Sequence, residues 1–191
     1  PDQTNRTIEF AASDGIGYGS TATSTVTITA TNDPPSIDLD GDDSSGASAN
    51  GFNATFAEDA GVVLIADSVD ASLDDLDSVN LTSLTVTITN LLDGGSEILS
   101  ASTGGTSISA NYVGGILSLT GTDTVANYQQ VLRTVGYLNT SDAPDATSRL
   151  ISFVANDGGS NSNVATATVS ISPDNDAPTL DLDNNDSSGA T

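Results

Sequence analysis

The chain has 191 residues, a formal charge of −23 with three arginines and no lysine, and neither Cys nor His. This composition excludes zinc and thiol chemistry, disulfides, a Ser-His-Asp triad and a Lys–Asn isopeptide crosslink. The charge repels nucleic acid and anionic membranes, so neither is an expected partner, and the longest apolar run, residues 62–66, is too short to span a bilayer.

Of the 26 acidic residues, 23 are aspartate, a residue of turns and oxygen ligation rather than of helices. Salt-adapted proteins are also acidic and lysine-poor, but salt adaptation does not account for aspartates gathered in punctuated loops. The first elements are strands. Ile8, Phe10 and Ala12 alternate with polar residues, then Val26, Ile28 and Ala30 do the same, and the Gly-rich stretch 13–19 between them reads as a loop. Asn32-Asp33-Pro34-Pro35 is a linker, because proline holds the residue before it extended.

The same text returns 143 residues later. Residues 1–48 match residues 144–191 at 25 of 48 positions without a gap, including Arg6 with Arg149, Phe10 with Phe153 and Asp14 with Asp157. A period of that length is domain-sized, so units follow one another along a string. It divides the chain into the C-terminal strands of a preceding repeat (1–33), one complete repeat (34–176) and the start of a following repeat (177–191). The chain is thus expected to begin inside a unit.

Within the complete repeat a short strand is expected at Ile37 and Leu39, a second over 53–57 and a buried one over 62–66, with 67–80 a polar loop. Leu84, Val86 and Ile88 alternate with threonine in the clearest strand of the chain. Asp93-Gly94-Gly95 reads as a tight turn, and strands follow near 97–101, 107–113 and 116–120. Asp123 or Thr124 can cap one or two helical turns with Val125, Tyr128 and Leu132 on one face, before a strand at Val135 and Tyr137. Short strands at this spacing predict an all-β fold, a Greek-key β-sandwich with one short helical turn.

The aspartates fall in three groups. Asp75, Asp77 and Asn80 lie in one loop; Asp157 sits in the last hairpin; in a sandwich both can meet the entering linker, Asn32 and Asp33. Glu58, Asp142, Asp174 and Asp176 occupy loops and the leaving linker expected at the other end. Asp38, Asp40 and Asp42 form a third loop, which has glycine at its fourth place and so is not an EF-hand. Calcium takes about six to eight oxygens from flexible carboxylate-rich loops, and carboxylates crowded without a cation repel one another. An Asp-Gly in a hairpin is otherwise an ordinary turn. The sequons at Asn53, Asn80 and Asn139 are too short to carry weight.

The pattern Glu-x-x-Gly from Glu58, Asp-x-Asp-x-x-Asn from Asp75, Asn-Asp-Gly from Asn156 and Asn-Asp-x-Pro in the linkers resembles the cadherin repeat. The phrases Asn127–Arg133 and Tyr137–Pro144 resemble the narrower group of tandem repeats in very large, type I-secreted bacterial RTX adhesins. The resemblance implies a cadherin- or immunoglobulin-like sandwich with calcium between successive repeats. It implies Asn32, Asp33, Asp75, Asp77, Asn80 and Asp157 as ligands on one side of a junction, and Glu58, Asp174 and Asp176 on the other. The cadherin Asp-Arg-Glu element is absent, and Asp142 only occupies its place. The implied role is a calcium-stiffened extender in an extracellular or surface adhesin or biofilm fibre, not an enzyme. Its partners would be neighbouring repeats or end-to-end copies. The alternative is a module of the same fold that binds a surface glycan or protein.

Overall fold

The computed structural model describes residues 2–178 and residue 180. The expected start of a following repeat, 177–191, therefore lies almost wholly outside the described residues.

The fold is all-β with one short helix, as the alternation predicts. Strands β1 (Arg6–Phe10) and β2 (Ala22–Val26) form a separate antiparallel hairpin. The complete unit runs through β3 (Ser36–Asp38), β4 (Phe52–Ala57), β5 (Val63–Leu64), β6 (Ser72–Asp74), β7 (Asn80–Ile88), β8 (Glu97–Ser100), β9 (Ser109–Val113) and β10 (Ile116–Thr124). Helix α1 (Val125–Leu132), β11 (Gly136–Asn139), β12 (Arg149–Asn156) and β13 (Ala165–Ser172) complete it. One layer is a six-stranded sheet ordered β4-β13-β12-β7-β10-β9, in which β13 and β4 run parallel. Opposite it lie the three-stranded sheet β5-β11-β8 and the pair β3-β6. Inward residues of all these strands close one core, including Ile37, Phe56, Leu84, Val86, Leu99, Tyr137, Phe153 and Val169.

Two expectations needed correction. The apolar run 62–66 gives only two strand residues: Val62 is 56% and Leu64 40% exposed, while Ile65 and Ala66 turn inward. Ile65 N–H then donates to Val135 O at 3.0 Å. The stretch 67–80 is not all loop, because Leu73 is buried and its backbone is satisfied by pairing β6 with β3. The tight turn at Asp93 forms as expected: Ser96 N–H donates to Asp93 O at 3.1 Å, and Gly94–Ser96 is a 3₁₀ turn. The helix forms as read: Thr124 Oγ1 accepts from Asn127 N at 3.2 Å, and Tyr128, Val131 and Leu132 are buried. Just before it the β10–β7 register shifts between Thr120 and Asp123. A Cβ at Gly121 would stand 2.4 Å from Ser107 O, and its φ of +130° excludes other residues without strain.

A buried polar network closes one end of the core. Arg149 and Glu97 are both fully buried, and Arg149 Nε donates to Glu97 Oε1. Arg149 Nη2 donates to Asp93 Oδ2 at 2.5 Å, as does Asn139 Nδ2 at 2.7 Å, and Tyr137 Oη donates to Glu97 Oε1 at 2.8 Å. Burial pushes Arg149 towards losing its proton, but the Glu97 carboxylate outweighs this and holds it above its ordinary range.

The 143-residue period is visible in three dimensions. Arg6 pairs with Val26 and Phe10 with Ala22; Arg149 pairs with Val169 and Phe153 with Ala165. Each position maps by the same offset. The loops match in detail. Gly19 N–H donates to Ala12 O and Ser162 N–H to Ala155 O, while Asp14 Oδ1 caps residues 16 and 17 as Asp157 Oδ1 caps residues 159 and 160. The linkers match too: Asn32 Nδ2 donates to Asp33 O at 3.2 Å and Asn175 Nδ2 to Asp176 O at 3.1 Å.

Candidate metal centre

The linker meets the complete unit where the Asp75 loop and the last hairpin lie together. Asn32 Nδ2 donates to Asp157 Oδ2 at 2.9 Å and Ser160 Oγ at 3.2 Å. The approach is close enough that a Cβ at Gly159 would lie 3.3 Å from Asn32 Nδ2. Asp33 N–H donates to both oxygens of Asp77, at 3.3 and 3.4 Å. Asp75 Oδ1 accepts from Asp77 N at 3.0 Å and Ser78 N at 2.7 Å, which folds the loop around its carboxylate. Its other oxygen, Oδ2, is buried and has no hydrogen-bond partner; among the described residues no other buried side-chain polar atom is left so. A buried carboxylate oxygen without a donor is costly unless a cation meets it. Beside it, Pro34, Ser36, Asp74, Asp75 and Leu76 line an open cleft of about 460 Å³.

The structure thus links Asn32, Asp33, Asp77 and Asp157 by hydrogen bonds and joins Asp75 to them through Asp77. Asn80 is not tied into the group. It opens β7 opposite Thr124, and its side chain makes no hydrogen bond to the group. Burial pushes Asp157 up, but the N–H groups of Ser160, Asn32 and Gly159 outweigh it and keep the carboxyl below its ordinary range. The same donors favour the ionised carboxylate, the form in which an aspartate binds a metal.

A second set joins the β3–β4 loop to the loop between β5 and β6. Carboxylate oxygens of Asp40, Asp42 and Asp70 fall within 4.8 Å of one another and can hold a metal ion. Asp40 is buried; it accepts from Ser44 N and Oγ at 3.1 Å each and from Ser45 N at 2.8 Å. These donors outweigh burial and keep it below the ordinary carboxylate range. Asp70 shifts the other way: desolvation and the charges of Asp42 and Asp67 push it up. The sequence reading had Asp40 and Asp42 but missed Asp70, which β6 brings in from 28 residues beyond Asp42. The sole sequence signal was the Asp67/Asp70 pair opening the supposed loop. Asp38 stays outside the set, with its Oδ1 accepting from Asp40 N at 3.1 Å.

At the leaving end Glu58 Oε2 accepts from Asp174 N at 2.7 Å, and Asp174 Oδ1 accepts from Asn175 N at 2.9 Å. Glu58 is buried to 8% exposure. Asp142 and Asp176 are exposed and not drawn into a convergent carboxylate set among the described residues. Every donor in these groups is an oxygen, which suits a hard cation. No family model and no curated protein matches the chain.

Proposed function

We propose that this chain is a calcium-stiffened extender repeat of a secreted or surface-anchored bacterial adhesin or matrix fibre. The observation that carries the reading is the orphaned Asp75 Oδ2, buried where the linker residues Asn32 and Asp33 lock onto Asp157 and Asp77. A cation there would satisfy that oxygen and couple the linker to the unit. Asp75, Asp77 and Asp157 would carry the charge; Asn32 and Asp33 would add linker oxygens. Glu58, Asp174 and Asp176 would form the facing half of the next junction. The Asp40/Asp42/Asp70 set would take a further calcium within the unit. Flexible all-oxygen loops favour calcium over magnesium, which demands stricter octahedral geometry and keeps its water. The glycan-binding alternative has less support, because every Tyr and Phe of residues 34–176 is buried or half-buried.

The test is Asp75→Asn, measured with and without calcium. The amide relieves a buried charge, so in EDTA the melting temperature should hold or rise. The calcium-induced rise should shrink. If Asp75→Asn responds to calcium as the parent does, the cation does not bind at Asp75.

A further inference from the structure

The hairpin β1–β2 presents an apolar face that none of the described residues covers: Ile8 is 44%, Phe10 57% and Val26 42% exposed. The same molecule contains the covered version of this face. In β12–β13 the counterparts Ile151, Phe153 and Val169 are fully buried, because β12 pairs with β7 and β13 pairs in parallel with β4. Seven of the eight core-facing residues of the two hairpins are identical, from Arg6 and Arg149 to Ile28 and Ile171, and the eighth is Ser24 for Ala167. Outward-facing positions agree at only two of seven, Thr23 and Thr25 with Thr166 and Thr168. Identity is concentrated on the side that docks. Arg6 makes the point most sharply. Here it forms a surface pair with Asp2 at 3.1 Å, while its counterpart is fully buried against Glu97.

We propose that β1–β2 is a donor hairpin whose partner is a β3–β11 segment of this same repeat type, entered between β4 and β7. In that slot β1 pairs with the partner's β7 and β2 with its β4. Arg6 takes the place of Arg149 against the Glu97 and Asp93 positions. The fit needs no rearrangement of the hairpin backbone, whose register already equals that of β12–β13; Arg6 only exchanges Asp2 for its new partners. A unit that already holds its own β12–β13 does not accept the donor, because a tethered hairpin outcompetes a free one. None of the eight docking positions is a carboxylate, so the Arg6 and apolar contacts form without calcium; Asp14, the counterpart of Asp157, would add its carboxylate to the partner's Asp75 and Asp77 when calcium is present.

The experiment mixes the full chain with an unfolded polypeptide spanning residues 34–148, in EDTA. The chain has no cysteine, which permits a clean disulfide trap. Val154 faces Thr85 across β12 and β7, and Ala11 is the counterpart of Val154. Ala11→Cys in the full chain and Thr85→Cys in the polypeptide should therefore crosslink, and sedimentation should show a one-to-one complex. Arg6→Ala and Phe10→Asp do not disturb the complete unit, and each should weaken the complex at least about a hundredfold, since each leaves a buried charge or apolar site without its partner. Absence of the 11–85 disulfide, or a complex indifferent to both substitutions, would overturn the proposal.

Discussion

Arg149→Met tests what closes the core. The substitution keeps most of the side-chain volume but removes the cation from Glu97 and Asp93. Removing one partner of a buried ion pair costs roughly 3–5 kcal/mol, because the other charge stays buried and unpaired. Glu97 retains three neutral donors: Leu92 N at 2.9 Å, Asp93 N at 3.0 Å and Tyr137 Oη at 2.8 Å. The cost should therefore sit near the lower bound, about 3 kcal/mol, which for a unit of this size lowers Tm by about 10 °C. Glu97→Leu alone should cost a similar amount, stranding Arg149. The double substitution Arg149→Met/Glu97→Leu should cost clearly less than the two singles added together. The assay is urea unfolding followed by circular dichroism, with the slope of the transition checked for constancy. A single-substitution loss under about 1 kcal/mol, or strictly additive losses, would show that the pair does not act as a buried unit.

Asp40 and Asp157 have lowered carboxyl pKa values in the folded state, so their contributions are present above the ordinary value of 3.8 and vanish as pH falls through the lower folded values. Asp157→Asn should accordingly flatten part of the acid limb of a Tm-versus-pH profile, and an unchanged limb would contradict the assignment. Asp70 has the opposite sign: its raised value favours the folded state at low pH, an advantage lost as pH rises through the folded pKa. Asp70→Asn should thus raise apo stability at neutral pH and weaken metal binding; a drop in apo stability would refute this. Asp77→Ala removes the acceptor of Asp33 N–H without touching the core, so it should leave the unit folded but give a shorter average span between units by solution scattering. Loss of the folded unit would instead make Asp77 a structural residue.

Alternation made the sheet legible. Leu84, Val86 and Ile88 read as core because a strand sends every second side chain to one face. The repeat offset made the linker and the Asp157 hairpin legible, since Asn32 and Asp157 recur as Asn175 and Asp14. Long-range convergence was not legible. Asp70 joins Asp40 and Asp42 only because β3 and β6 pair, and a three-residue strand leaves almost no periodic trace. The Arg149 network was hidden for another reason: a charged residue at a strand's first position reads as outward, and its partners Asp93 and Glu97 look like turn punctuation. Arg6, the repeat of Arg149 in a chain with three arginines, was the available clue. Asn80 was expected with Asp75 on motif spacing, but the start of β7 holds it opposite Thr124 instead.

The central claim is that calcium holds the junction, and thermal unfolding in calcium against EDTA tests it most directly. Extracellular calcium sites bind with dissociation constants of about 10⁻⁴–10⁻³ M, so each site at ~10–100-fold excess adds roughly 1.4–2.7 kcal/mol. The account predicts a Tm several degrees higher in calcium than in EDTA, with magnesium giving little of that rise. Superimposable melting curves in calcium and EDTA would contradict it.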